Sequence, residues 1–220
     1  MISIEQQQKL LLNVSKELSE PITAYAIGGT AMMFLGYKEA TLDIDLVFAN
    51  DKDKNIFRKA AENLGFREMN SIKVYGTKKN QPVMLKLDDT RFDLFVNKVI
   101  DFMFSENMQN RANQTHQFGE NLILKIANPH DIILMKCATD RLKDKDDAIR
   151  IIQNTKIIWN IIVEEAKNQV KLGEERAIFE LGCFLEDIKK ALGEKIPKEI
   201  LDELFDLSQN QAEKKSQKKT

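Results

Sequence analysis

Residues 26–48 read AIGGTAMMFLGYKEATLDIDLVF, and the fold can be predicted outward from this stretch. An apolar run ends at the pair Gly28 and Gly29, a short apolar helix follows, and Asp-Ile-Asp then opens a second apolar run. Because successive side chains of a strand point to opposite faces, Asp43 and Asp45 project from the same face. The stretch therefore predicts a strand, a turn, a helix and a second strand that carries two carboxylates on one side.

The residues of this stretch have a chemistry in common. Asp43 and Asp45 repel each other unless positive charge lies between them, and carboxylate oxygens are the ligands that Mg²⁺ prefers. Gly28 and Gly29 lack a Cβ, so a phosphate can approach their backbone closely. The helix that begins near Thr30 directs N–H groups and its positive dipole end toward that phosphate. The aspartate pair or the glycine turn alone would be weak evidence for a functional site, but the two together predict a site for a metal and a phosphate.

A third carboxylate follows in RFDLFVN, residues 91–97, where apolar and polar positions alternate as in a strand. If this strand pairs with the one that contains Asp43 and Asp45, Asp93 faces the same side. The three aspartates then hold two Mg²⁺ or Mn²⁺ ions, and Asp93 activates an attacking hydroxyl group.

Composition excludes several classes of protein. Lys and Arg number 33 against 34 Asp and Glu, so the net charge of -1 provides no overall attraction to nucleic acid. Cys137 and Cys183 are far apart, which excludes a disulfide framework and a zinc-binding spacing. The residues MISIEQQQKL lack the pattern expected of a signal peptide, and no apolar run approaches the ~18 residues of a membrane span. We expect a cytoplasmic protein.

The pattern along the chain predicts an α+β fold. Residues 1–127 are expected to form a small mixed sheet flanked by helices, with strands at 66–76 and 82–88 among others. Residues 128–208 are expected to form an all-helical part, and 209–220 a disordered basic tail.

At these residues the chain resembles the DNA polymerase β superfamily of nucleotidyltransferases. The signature of that superfamily is an apolar residue and Gly-Gly or Gly-Ser, then a spacer, then Asp-x-Asp on a strand. Gly28 and Gly29 occupy the first position, residues 30–42 form the spacer, and Asp43 and Asp45 occupy the last. Within the superfamily the chain is most similar to the small prokaryotic group that includes AbiEii-type toxins.

The resemblance extends to further residues. Many members of that group read Arg-x-Thr-x-Asp-x-Asp; this chain has Thr41 in the matching place, with Lys38 and a glutamate where a basic residue is expected. The segment around residues 128–151 is similar to a helix that carries a lysine, followed by a charged segment. The resemblance implies that Lys38, Thr41, Lys136 and Asp144 lie beside the nucleotide or support its site.

The resemblance also implies an activity: metal-dependent transfer of a nucleoside monophosphate from a nucleoside triphosphate to a hydroxyl group. Gly28, Gly29 and Thr30 would cradle the triphosphate. The acceptor is an RNA, a protein or a small molecule, and a toxin–antitoxin or defence setting with a cognate partner is implied. Two alternatives stay open: a catalytically silent binding partner that keeps the fold, and a nucleotide sensor.

Overall fold

The protein was analysed as a computed structural model, which describes residues 1–139 and 141–217. The chain divides into two compact units, Met1–Asn128 and Pro129–Thr220. The first unit combines a mixed sheet with helices, and the described residues of the second are helical. The α+β class predicted from the sequence is therefore confirmed. No helix in the described ranges is both long and apolar enough to cross a membrane.

The strands of the first unit form two sheets. β1 and β3 pair as a small antiparallel ribbon, and the other nine strands form one mixed sheet. Its main path runs β10-β11-β2-β4-β7-β6-β5, and β8 extends it by pairing with β7 and β9. The strands are β1 (Ile2–Ser3), β2 (Ile22–Ala26), β3 (Ala40–Thr41), β4 (Ile44–Phe48), β5 (Arg67–Met69), β6 (Val83–Leu87), β7 (Thr90–Val96), β8 (Lys98–Val99), β9 (Phe102–Met103), β10 (Gln114–Phe118) and β11 (Leu122–Ile126).

Helices connect these strands and make up the described residues of the second unit. The first begins with a capping box, in which the side chains of Ser3 and Gln6 each bond the other residue's backbone N–H. The helices are α1 (Ile4–Glu17), α2 (Gly28–Phe34), α3 (Asp51–Asn63), α4 (Ile72–Tyr75), α5 (Glu106–Arg111), α6 (Pro129–Lys136), α7 (Leu142–Asn154), α8 (Trp159–Lys171), α9 (Ala177–Leu192) and α10 (Lys198–Gln217), with a short 3₁₀ turn at Gly193–Lys195.

An aromatic cluster forms the core behind β4 and β7. The ring of Phe57 on α3 lies 5.5 Å from Phe48 and 5.1 Å from Phe92, and the ring of Phe66 lies 5.0 Å from Phe92. All four side chains are almost completely buried. Because side chains alternate along a strand, the apolar face of β4 and β7 leaves their polar positions on the opposite face. This core therefore orients the aspartates.

One predicted strand is wrong. Residues 66–76 form the short strand β5 and then the single helical turn α4, not a continuous strand. The side chain of Asn70 accepts the Ile72 N–H at 2.8 Å, and Gln81 donates to the carbonyls of Gly76 and Lys78 at 2.8 Å each. Such local bonds between side chain and backbone compete with strand pairing.

The C-terminal segment also differs from the expectation of a disordered tail from residue 209. Helix α10 continues to Gln217, because Gln, Ala, Glu and Lys favour helix and neither Gly nor Pro interrupts them. The side chain of Gln211 donates to the Glu175 carbonyl at 2.7 Å and ties this part of the helix to its unit. Residues 218–220 of the predicted tail lie outside the described residues.

The aromatic core gives a first test. We expect Phe57→Ala to lower the free energy of unfolding of the first unit by about 3–5 kcal/mol, because it leaves a cavity beside the rings of Phe48 and Phe92. Hydrogen exchange of the β4 and β7 amides in urea measures this unit directly. Leu12→Ala is the control, since Leu12 is 40% exposed, and a loss there as large as at Phe57 would contradict this view of the core.

Candidate active site

The three predicted aspartates meet on the sheet. β4 and β7 pair in parallel with Asp45 opposite Asp93, so the strand pairing predicted from the sequence is confirmed. Asp43 immediately precedes β4. One carboxylate oxygen from each of the three residues lies within 4.8 Å of the others. Asp93 is fully buried, whereas Asp43 and Asp45 are partly exposed, so the cluster opens toward solvent on the β4 side.

Arg91 supplies positive charge to this cluster. It lies two residues before Asp93 on β7, so both side chains project from the same face. Its Nε donates to Asp93 Oδ1 at 2.8 Å, and one terminal nitrogen donates to Asp93 Oδ2 at 3.0 Å and to Asp43 Oδ2. Burial opposes the charge of Arg91, but the Asp93 and Asp43 carboxylates outweigh it and raise the pKa of the guanidinium.

Tyr75 completes the surroundings of Asp93. Its hydroxyl, at the end of α4, donates to Asp93 Oδ2 at 2.6 Å. Burial and then the negative charge of Asp45 and Asp93 raise the pKa of Tyr75, so the phenol keeps its proton and acts as the donor. Burial also raises the pKa of Asp93, although the hydrogen bond from Tyr75 and the charge of Arg91 oppose this effect. Asp93 is thus a buried carboxyl group with a raised proton affinity.

The glycine turn packs directly against the aspartates. Gly28 has φ +54°, and a Cβ there would lie 2.8 Å from Asp45 Oδ2; a Cβ on Gly29 would lie 2.6 Å from the Thr41 hydroxyl. The buried Thr30 hydroxyl accepts the Asp45 N–H at 2.9 Å. The positive φ and the close approach of Asp45 both favour glycine at position 28, the close approach of Thr41 favours it at position 29, and Thr30 joins the turn to β4.

The other predicted residues of the first unit lie close to this turn in sequence. The Thr41 hydroxyl donates to Asp43 Oδ1 at a long 3.4 Å. Lys38 lies in the loop between α2 and β3 and is half-buried. Contacts of Lys38 and Thr41 with a nucleotide stay predictions.

Lys136 and Asp144, also predicted at the site, form a buried ion cluster in the second unit. Lys136 Nζ lies 2.7 Å from Asp144 Oδ1 and 2.6 Å from Asp147 Oδ2. Asp144 Oδ2 also accepts from Arg141 Nε at 2.6 Å and from the Thr139 hydroxyl. Burial opposes both charges, yet the opposite charges win, so the pKa of Lys136 is raised and that of Asp144 is lowered. These contacts join α6 to α7; a nucleotide contact of Lys136 or Asp144 stays a prediction.

Sequence reasoning missed Arg91 and Tyr75, although both bind Asp93. A signal for Arg91 was present, because a residue two positions from a strand aspartate shares its face. No such signal marked Tyr75, because the segment that carries it was predicted to be a strand.

Three carboxylates at two adjacent parallel strands, packed against a glycine turn, are the arrangement that the sequence predicted for a nucleotidyltransferase. The chain belongs to the family described as nucleotidyltransferase of unknown function (DUF6036), which matches residues 1–192. The nucleotidyltransferase assignment made from the sequence is thereby confirmed, and the likeness to AbiEii-type toxins stays a prediction. The chain matches no curated protein.

Two solved structures with a similar fold are of the antibiotic-resistance factor ANT(2″)-Ia. The first is its crystal structure in complex with adenylyl-2″-tobramycin. The two sequences are 16% identical, the alignment covers 82% of this chain and 98% of the other, and the TM-score is 0.45. Its solution structure is also 16% identical, with 85% and 95% covered and a TM-score of 0.45.

Loss of the Arg91 charge tests the electrostatics of the cluster. We expect Arg91→Gln to lower the free energy of unfolding by about 3 kcal/mol at neutral pH, because two carboxylates lose their counter-ion. A carboxyl group with a raised folded-state pKa stabilises the fold below its unfolded pKa and loses that contribution as pH rises through the folded pKa. The pKa of Asp93 is already raised, and loss of Arg91 raises it further.

The loss of unfolding free energy caused by Arg91→Gln is therefore largest at neutral pH and becomes smaller as the pH approaches about 4. Urea unfolding of the first unit across this range measures it. Arg67→Gln is the matched control, since Arg67 is exposed on β5 of the same sheet. A deficit independent of pH would argue against the electrostatic cause.

The buried cluster of the second unit gives a separate test. We expect Lys136→Met to destabilise this unit by about 3–5 kcal/mol, because two buried carboxylates lose their cation. The single tryptophan, Trp159 on α8, reports unfolding of this unit by fluorescence. Lys143→Met on the exposed side of α7 is the control, and equal stability of the two variants would show that Lys136 has no structural role.

Proposed function

We propose that the protein transfers a nucleoside monophosphate from a nucleoside triphosphate to a hydroxyl acceptor, with divalent metal ions held by Asp43, Asp45 and Asp93. The observation that carries the proposal is the assembly of three carboxylates within 4.8 Å of one another. Membership of a nucleotidyltransferase family supports the same reaction class.

The donor set suits Mg²⁺ or Mn²⁺. It offers carboxylate oxygens only, and hard oxygen ligands on rigid strands are suited to small divalent cations. Three carboxylates against the single charge of Arg91 leave two negative charges, so the cluster still attracts cations. Two such ions, when bound, would neutralise the charge that develops on the transferred phosphoryl group and its leaving group.

The glycine turn is the proposed phosphate site. Gly28 lies so close to Asp45 that no side chain fits between them, and a phosphate beside this turn would therefore lie next to the carboxylates. The N-cap of α2 is Ile27, whose apolar side chain cannot accept a hydrogen bond from the first N–H groups of this helix. In the proposal they donate to the triphosphate.

Asp93 is the proposed base for the attacking hydroxyl group. Burial raises the pKa of Asp93, so its carboxylate accepts a proton more readily than an exposed aspartate would, which suits a general base. The acceptor in this proposal is a hydroxyl of an RNA, a protein or a small molecule. A toxin–antitoxin or defence setting with a cognate partner rests on the sequence resemblance alone.

One observation supports a second candidate, a catalytically silent binding protein or nucleotide sensor. Clustered carboxylates without a cation would destabilise the fold, which argues for an active enzyme. Arg91 and Tyr75 bind Asp93 within the protein and reduce that cost. A protein with this cluster can thus fold without using it in catalysis.

Asparagine substitution distinguishes the two candidates. We expect Asp45→Asn to reduce nucleotidyl transfer by about a hundredfold or more, because the loss of a metal ligand removes several kcal/mol of transition-state stabilisation. The assay incubates the purified chain with labelled nucleoside triphosphates, Mg²⁺ and a panel of RNA, lysate protein and an aminoglycoside. Mn²⁺ affinity, measured by calorimetry, should fall in parallel.

Asp89→Asn is the matched control, since Asp89 is exposed in the turn between β6 and β7. We expect it to bind metal and transfer nucleotide as the parent chain does. Nucleotide binding without transfer in the parent chain would favour the sensor. Unchanged transfer by Asp45→Asn would refute the proposed metal site.

A further inference from the structure

A tyrosine hydroxyl already contacts the carboxylate that the proposed reaction uses as its base. Tyr75 donates its proton to Asp93 Oδ2 across 2.6 Å, and Asp93 is the proposed base. A general base must lie about 2.6–3.2 Å from the oxygen that it deprotonates, and the Tyr75 hydroxyl meets this requirement. The chain itself thus supplies a hydroxyl group at this carboxylate.

The rest of the site holds both partners of this bond in place. Arg91 bonds both oxygens of Asp93 and so fixes the orientation of the carboxylate. The ring of Tyr75 packs edge-on against Phe95 with 6.3 Å between centroids. The contact is therefore supported on the sheet side by β7, which carries Arg91, Asp93 and Phe95.

The segment that carries Tyr75 lies at the protein surface. None of the four residues of α4 is fully buried, and Ile72 and Val74 are 62% and 44% exposed. Gln81 holds the segment by accepting from the Ser71 hydroxyl at 2.6 Å and donating to the Gly76 carbonyl. The phenol of Tyr75 therefore extends to the aspartate cluster from a solvent-exposed helical turn that the Gln81 side chain holds in place.

We infer that Tyr75 is itself an acceptor, so that the protein nucleotidylates its own Tyr75 within the chain. This inference rests on the proposed nucleotidyl transfer and names an acceptor for it. The phenol oxygen attacks the α-phosphorus of the nucleoside triphosphate, and the bond from that phosphorus to the pyrophosphate oxygen breaks. The phenol, which keeps its proton until the attack, passes it to Asp93 Oδ2 as the new oxygen–phosphorus bond forms. The products are a tyrosine–nucleoside monophosphate diester and pyrophosphate.

The chain has two other tyrosines, and they lie on other elements. Tyr25 is buried on β2, where its ring packs against Phe104 at 5.1 Å between centroids. The hydroxyl bonded to Asp93 Oδ2 is that of Tyr75, whereas Tyr37 lies in the loop between α2 and β3. Tyr37→Phe thus removes a phenol of the same chemistry and leaves the bond to Asp93 in place.

The test is mass spectrometry of the full chain after incubation with Mg²⁺ and each nucleoside triphosphate. We expect a mass gain of one nucleoside monophosphate, mapped to the peptide that contains Tyr75 and removed by a phosphodiesterase. Tyr37→Phe should gain the same mass, whereas Tyr75→Phe and Asp45→Asn should gain none. The first-order rate should not depend on protein concentration, because the reaction is intramolecular.

Peptide mapping of the parent chain decides the matter even if Tyr75→Phe folds poorly. A parent chain that transfers nucleotide to another acceptor while Tyr75 stays unmodified overturns this inference and leaves the proposed function standing. A modification mapped to any other residue, or a rate proportional to protein concentration, also overturns it. A parent chain that neither binds nor transfers nucleotide overturns the proposed function as well.

Discussion

Mutual repulsion among Asp43, Asp45 and Asp93 is the constraint that the first unit has to meet. Two like charges about 5 Å apart repel by roughly 3 kcal/mol at an effective dielectric constant near 20, so the cluster is costly to assemble. Arg91 offsets part of this cost through its bonds to Asp43 and Asp93. The remaining repulsion is offset by the rest of the fold, because the backbone pairing of β4 and β7 holds the aspartates close together although they repel each other.

That pairing is in turn specified by the apolar face of the same strands. A shift of one residue in a strand moves all of its side chains to the other face. In β4 and β7 such a shift would turn Phe92 out of the aromatic core and Asp93 into it. The core around Phe57 therefore favours the register in which Asp45 lies opposite Asp93. Stability of the core and geometry of the site depend on the same alternation.

This alternation explains how much could be read from the sequence. It placed Asp43 and Asp45 on one face, and the pairing with Asp93 follows from a second strand with the same pattern. The same alternation places Arg91 on the face of Asp93, but its ion pair with Asp43, a residue distant in sequence, could not be predicted from it. The position of Tyr75 could not be read in this way. It depends on a turn built by the side chains of Asn70 and Gln81, and these bonds follow no periodic pattern.

Lys136 shows a different limit of sequence reasoning. A lysine can bind a phosphate or neutralise buried carboxylates, and the aspartates near Lys136 in the sequence are compatible with either role. In the structure its ammonium contacts Asp144 and Asp147, so a phosphate at Lys136 would have to compete with two carboxylates already within 3 Å. In the proposed reaction, the first N–H groups of α2 and the ions on the aspartate cluster would instead interact with the triphosphate. In the proposed reaction, Lys136 would contribute through the fold of the helical unit.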